Sequence, residues 1–135
     1  MDYEEYVRST DQANRLIESR KFTEAVEALS RLVLSDLSDI DKSTVCINLA
    51  VLHDRLGKTD DALAWYDRGI GYEQVYCRYD VTEKKAQYLS QVGRTRDAIP
   101  LYEALLKQPY LSEAEKVRVR KQIQFLLGKS TAEWK

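Results

Sequence analysis

The sequence predicts an all-α fold, a solenoid of three antiparallel helix pairs followed by a seventh, capping helix. Only five of the 135 residues are glycine and two are proline, too few for the turns of a β-sandwich or barrel. Hydrophobic residues make up 44% and charged residues 32% of the chain, as in globular proteins and unlike disordered ones. A chain of this length is expected to form one domain.

A pattern built on two alanines occurs three times, at spacings of 37 and 36 residues. In each copy the alanines are twelve residues apart, and a large side chain follows four residues after the second. Small side chains let two helix backbones approach closely, so each copy predicts a pair of helices. A single pair cannot bury its apolar face, and the pairs are therefore expected to stack. The alanine pairs are Ala13 and Ala25, Ala50 and Ala62, and Ala86 and Ala98.

The pattern places the helices in order along the chain. The first helix of each pair ends just before Arg20, Gly57 or Gly93, and glycine favours the left-handed conformation that ends a helix. The predicted ranges are residues 3–19, 23–35, 41–56, 60–71, 79–92, 96–107 and 113–128.

The seventh predicted helix has its own start and stop signals. Ser112 and Glu115 form a capping-box pattern at its start, and Gly128 is a normal stop. Its apolar residues fall on one face, so we expect it to cap the last repeat. We expect a single domain over residues 1–128, with repeats at about 6–42, 43–78 and 79–111, a capping helix at about 113–128 and a mobile tail at 129–135.

The repeats resemble the tetratricopeptide repeat family over about residues 6–111. The second copy matches best, and the first is the weakest match. Periods of 37 and 36 residues exceed the family's usual 34, and the extra residues fall between repeats. The residues that carry the resemblance in the second and third copies are Cys46, Leu49, Ala50, His53, Gly57, Ala62 and Tyr66, and Ala86, Leu89, Gly93, Ala98, Tyr102 and Pro109.

This resemblance implies a right-handed α-solenoid whose first helices line a concave groove. In the family, an extended peptide or a partner's helix binds in that groove. The resemblance thus implies a protein–protein interaction module, acting as an adaptor or scaffold. Each groove candidate can also be an ordinary exposed helix residue. The candidates are Thr10, Asn14, Ile17, Thr44, Ile47, Asn48, Val51, Arg55, Asp80, Lys84, Gln87 and Gln91.

One subfamily holds a peptide's C-terminal carboxylate with two asparagines and three basic residues. Asn14, Asn48 and Lys84 fall at matching places, but Thr10 and Asp80 stand where lysine is expected. A carboxylate would meet too little positive charge there, so this mode is a minor alternative.

Aromatic and basic residues outside the groove give secondary interface candidates. Tyr72 and Tyr76 lie in the predicted linker before the third repeat, and Trp65 lies on the second helix of its pair. Residues 1–42 carry a net charge of −4 and residues 111–135 one of +3, with Lys116 and Arg120 on the final helix. Packing of the linker and a solvated helix face are the alternative interpretations. Contact between the acidic start of one copy and the basic end of another would give a homo-oligomer.

Several functions are excluded or disfavoured by what the sequence lacks. The near-neutral net charge of −1 argues against nucleic-acid binding. We find no metal-ligand spacing, phosphate-binding loop or nucleophile motif, so we expect no enzyme and no cofactor. The single histidine, His53, is interpreted as structural.

We also expect a cytoplasmic protein without a membrane segment. No apolar stretch approaches the length needed to cross a bilayer, and the first residues carry no secretory signal. Cys46 and Cys77 are interpreted as reduced thiols, although one bridge between them is possible. Two alternatives to the adaptor remain open: a small chaperone for a secreted or partly disordered partner, and a self-assembling structural protein.

Overall fold

The computed structural model describes residues 2–133, with side chains described through residue 128. Within that range the chain forms seven helices and no strand, which confirms the predicted all-α class. The helices are α1 (Tyr3–Glu18), α2 (Phe22–Val33), α3 (Asp39–Arg55), α4 (Thr59–Gln74), α5 (Asp80–Gln91), α6 (Thr95–Leu106) and α7 (Glu113–Glu133).

The chain divides into two compact units, Met1–Tyr76 and Cys77–Lys135. The first unit holds α1 to α4 and the second holds α5 to α7. The division after residue 76 lies close to the boundary that the sequence predicts between the second and third repeats, after residue 78.

The first unit is built on helices that each pack against the next one along the chain. Contacts join α1 to α2, α2 to α3 and α3 to α4. The alanines of its two pairs are completely or almost completely buried, as the repeat pattern requires, because only a small side chain fits between closely crossing helices. The large residues four positions on, Leu29 and Tyr66, are also buried.

The second unit repeats this arrangement with one pair and one further helix. Helix α5 packs against α6, and α6 packs against α7. Ala86 and Ala98 are completely buried in the α5–α6 pair, and Tyr102 is buried beside them on α6. Val119 and Leu126 are the buried side chains of α7 within the described residues.

The three predicted helix-ending turns have the same geometry. Arg20, Gly57 and Gly93 all have positive φ, of 59°, 75° and 82°. In each turn the amide of the next residue donates to the carbonyl oxygen five residues back, at 2.8 Å: Lys21 to Leu16, Lys58 to His53 and Arg94 to Leu89. This bond satisfies a carbonyl that the helix end leaves open and reverses the chain within three residues.

Some helix ends differ from the prediction. Helix α7 does not end at Gly128 but continues to Glu133, because Gly128 keeps a negative φ, unlike Gly57 and Gly93. Helix α4 reaches Gln74 and so includes part of the predicted linker. The predicted mobile tail covers residues 129–133, whose backbone is helical, and residues 134–135, which lie outside the described residues.

Serine side chains cap two of the helices. Ser112 Oγ accepts from the Glu115 amide at 3.2 Å, which is one half of the predicted capping box, and its hydroxyl donates to the Glu115 carboxylate at 3.1 Å. At the start of α3 the cap is Ser38, whose hydroxyl accepts from the Asp41 amide at 3.2 Å. Asp39 and Asp41 lie in the first turn of α3, where negative charge favours a helix start.

The alanine crossing can be tested by overpacking it. Ala62→Leu places extra volume where α4 meets α3 and is expected to destabilise the protein by about 1–3 kcal/mol. Ala64→Leu is the matched control, since Ala64 is exposed two residues further along the same helix. Denaturant unfolding compares the two, and equal midpoints would show that the repeat register is wrong.

Replacing Arg20, the positive-φ residue of the first turn, by glycine should raise the stability of the protein. A non-glycine residue in the left-handed region costs about 1–2 kcal/mol, while glycine loses about 0.5–1 kcal/mol of unfolded-state entropy. Arg20→Gly is therefore expected to stabilise the protein by about 0.5–1 kcal/mol.

The opposite substitution at the second turn, Gly57→Ala, should destabilise the protein by about 1 kcal/mol through the backbone alone, because nothing lies within 4 Å of the added Cβ. Thermal unfolding measures both, and a lower melting temperature for Arg20→Gly would contradict the turn geometry.

Candidate functional site

A cavity of about 160 Å³ lies between α1 and α3 of the first unit and is called the first cavity here. Leu29 and Leu52 are buried at its floor, and Asn14, Asn48 and Val51 are exposed at its rim. Six of the predicted groove residues line it: Thr10, Asn14, Ile17, Asn48, Val51 and Arg55.

Helix periodicity brings these residues together. On α1 the lining residues are separated by four and three positions, and on α3 Asn48, Val51, Leu52 and Arg55 follow at i, i+3, i+4 and i+7. Residues at these spacings share one helix face. Because α2 packs on both α1 and α3, its Leu29 closes the floor between the two faces.

The rim of the first cavity offers hydrogen-bonding groups on both sides of an apolar floor. Each asparagine amide supplies a donor and an acceptor, which is what the backbone of an extended peptide needs. The Thr10 hydroxyl already donates to the Val7 carbonyl oxygen at 2.9 Å. The Arg55 guanidinium lies 5.8 Å from the centre of the Phe22 ring, so the positive charge at this end is held over an aromatic face.

A larger cavity of about 650 Å³ lies in the second unit and is called the second cavity. It contains three predicted groove residues, Asp80, Lys84 and Gln87. Glu83 of α5, which precedes Lys84 in the sequence, and the buried Leu105 of α6 line it too. The sequence missed most of the remaining wall, because it comes from loops and from the start of α7, where no helical repeat places it. These residues are Cys77, Arg78, Tyr79, Tyr110, Leu111, Glu115 and Arg118.

Charges of both signs meet in the second cavity. Arg118 on α7 donates to the Glu83 carboxylate on α5 at 3.0 Å. The pKa of Tyr102, which lies behind this pair, is raised mainly by burial and also by the negative charge of Glu83. The exposed Lys84 lies near the exposed Asp80, so the cavity is mixed in charge and not a cationic carboxylate site.

Three predicted groove residues line neither cavity: Thr44, Ile47 and Gln91. Thr44 is exposed, and its hydroxyl donates to the Ile40 carbonyl oxygen at 3.4 Å. Ile47 is half-buried. Gln91 is exposed at the last position of α5.

The aromatic interface candidates differ in exposure. Tyr72 is part of α4, packs on the core of the first unit and carries Lys42 Nζ 5.8 Å from its ring centre. Trp65 is half-buried, with the His53 ring stacked at 6.3 Å and the Arg68 guanidinium at 5.1 Å from its ring. Both therefore serve packing. Tyr76, which follows α4, is exposed.

The basic candidates on α7 also differ from one another. Lys116 forms an ion pair with Glu113 of the same helix at 3.3 Å. Arg120 and its neighbour Lys121 are exposed.

Burial shifts the pKa of two titratable groups in the first unit. Burial lowers the pKa of His53, so the ring is favoured in its neutral form. Burial raises the pKa of the Cys46 thiol to about 11. Among the side chains that the structure describes, no cluster of three or more histidine, cysteine, aspartate or glutamate residues could hold a metal ion. None of the helices within residues 2–133 is both long and apolar enough to cross a membrane.

Comparison with known proteins gives a family match for part of this chain. A tetratricopeptide repeat family model matches residues 10–73, which run from α1 into α4. No curated protein sequence matches the chain. The family match and the repeated helix pairs confirm the resemblance to tetratricopeptide repeats seen in the sequence.

Two solved structures share the fold over nearly the whole chain. One is the crystal structure of PcrH in complex with the chaperone-binding region of PopD, with a TM-score of 0.68 and 14% identity, covering 96% of each chain. The other is the Yersinia enterocolitica type III secretion translocator chaperone SycD, with a TM-score of 0.64 and 18% identity. That match covers 97% of this chain and 89% of SycD.

The two free thiols should differ sharply in reactivity. Cys46 is buried and Cys77 is exposed. Because the thiolate is the reactive form, we expect one thiol per native chain to react rapidly with a disulfide reagent near neutral pH. The second should react only after denaturation, and Cys77→Ser should abolish the rapid phase. Two rapidly reacting thiols in the native protein would contradict the burial of Cys46.

Proposed function

We propose that this protein is a protein-interaction module that holds a peptide segment or helix of a partner along its groove, acting as an adaptor or scaffold. The observation that carries the proposal is the first cavity, where two asparagine amides flank an apolar floor. An apolar pocket with a few convergent polar groups is the usual form of a recognition site.

The size and chemistry of the first cavity suggest how a peptide would be held. A cavity of about 160 Å³ is close to one of about 150 Å³ that holds a benzene-sized group. One aliphatic or aromatic side chain of the ligand would therefore enter between Leu29 and Leu52. Asn14 and Asn48 would hold the peptide backbone on either side, giving affinity with little sequence preference.

A chaperone for a secreted or partly disordered partner is the second candidate. It is supported by the two solved structures of similar fold, both of which are described as chaperones or their complexes. The same cavity would serve this function, since a disordered segment can lie extended in it.

We further propose that the protein acts without catalysis, in the cytoplasm. The neutral, packed His53 and the high pKa of Cys46 support a binding function over a chemical one.

Capture of a partner from the host lysate tests the proposal. The Asn14→Ala/Asn48→Ala variant loses hydrogen bonds worth about 0.5–1.5 kcal/mol each, so affinity for the partner should fall about tenfold. The matched control is Gln12→Ala/Gln74→Ala, which removes two exposed amides of the same unit that do not line the cavity.

The outcomes separate the site and the two candidate functions. Partner binding that is equal in parent and groove variant would remove the first cavity as the site. If the groove binds, proteolysis of the complex tells the functions apart: a short protected motif in a folded partner indicates an adaptor, and a long protected segment of an unfolded one indicates a chaperone.

A further inference from the structure

Helix α7 is packed on one side only within the described residues. Its buried side chains, Val119 and Leu126, are seven residues apart and form a single line toward α6. Helix α3 shows what a fully packed helix of this fold looks like: it lies between α2 and α4 and buries six residues.

The two units show which helix position is open. In the first unit, α3 packs on α2 and then receives α4 as its pair. In the second unit, α7 packs on α6 in the corresponding order, but within the described residues no further helix follows it to take the place that α4 takes beside α3.

The open side of α7 carries apolar and basic residues together. Val117, Lys121 and Phe125 follow at i, i+4 and i+8 and therefore share one face, with Arg120 beside them. Val117 is 46% and Phe125 66% exposed. At about 100° per residue, this face lies roughly 100–180° from the line of Val119 and Leu126.

The positive charge of this face indicates that a partner must be acidic. Lys116 and Arg118 are engaged with Glu113 and Glu83, whereas Arg120 and Lys121 are exposed beside the apolar side chains. An occupant must therefore supply both apolar anchors and acidic groups. The outer face of α1 in a second copy has exposed Glu4, Glu5 and Asp11, but its exposed large side chain is the single Tyr3 at the first position of the helix, so it offers one anchor where α7 presents two.

We propose that the open face of α7 docks an acidic amphipathic helix of a partner protein, in the place that a pairing second helix takes elsewhere in this fold. Apolar residues of that helix contact Val117 and Phe125, and its flanking carboxylates meet Arg120 and Lys121. This site is separate from the first cavity, and the protein would thus hold two partners or two parts of one.

A designed helix tests the proposal directly on the full-length chain. The probe is a fluorescent peptide of about 18 residues, with leucines at i, i+3, i+4 and i+7 and glutamates on either side. Its matched control has lysines in place of the glutamates. We expect the acidic peptide to bind and the basic peptide not to bind.

Variants place the binding on α7. Phe125→Ser should lower the affinity for the acidic peptide about tenfold, because it removes an aromatic anchor of the interface. Tyr3→Ser, which removes a 78% exposed aromatic from α1, should leave binding unchanged. Arg120→Glu/Lys121→Glu should reverse the preference toward the basic peptide. The Asn14→Ala/Asn48→Ala variant should bind the probe as the parent does, so failure of the groove proposal would not affect this result.

Several results would overturn the proposal. They are no binding of the acidic peptide at about 1 mM protein, equal binding of both peptides, or binding that Phe125→Ser does not change. Phe125-dependent binding to phosphatidylglycerol vesicles without peptide binding would assign the face to a lipid surface instead.

Discussion

Close crossing of two helices at paired alanines is the contact on which the rest of the molecule depends. Alanine has no side-chain atom beyond Cβ, so the two helices of a pair can pack closely. The next helix then packs against this pair as a single unit. In the first unit this sets the position of α3 relative to α1, with Leu29 of α2 beneath them. The first cavity is a result of that spacing and needs no loop or cofactor to form it.

The same contact explains why the sequence predicts so much of the fold. Alanine pairs and left-handed turns are local signals, and they locate the helix pairs to within a few residues. Arg20 takes the left-handed conformation without glycine, so the bonds of the turn outweigh the preference of the residue. Gly128 shows the reverse: a glycine that could end a helix lies inside α7, because nothing at that point reverses the chain.

The binding surfaces were less predictable because they depend on contacts between elements. The family resemblance identified Asn14 and Asn48, which share a cavity, but not Leu29 and Leu52, which are buried at its floor. The second cavity was missed over much of its wall, since its loop residues follow no period. The ion pair between Arg118 and Glu83, 35 residues apart, has no signature in the sequence. It nevertheless distinguishes Arg118, whose charge is paired, from the exposed basic residues of α7.

The order in which the helices pack also bears on how the protein folds. Every main contact within a unit joins helices that follow one another in the chain, so contacts close over short sequence distances. Chains of this kind have low contact order and fold fast, and their stability is a sum over neighbouring elements. Helix α7 has a neighbour on one side, so its amides should exchange with solvent sooner than those of α3. The protein can thus open at this end while the alanine crossings stay closed.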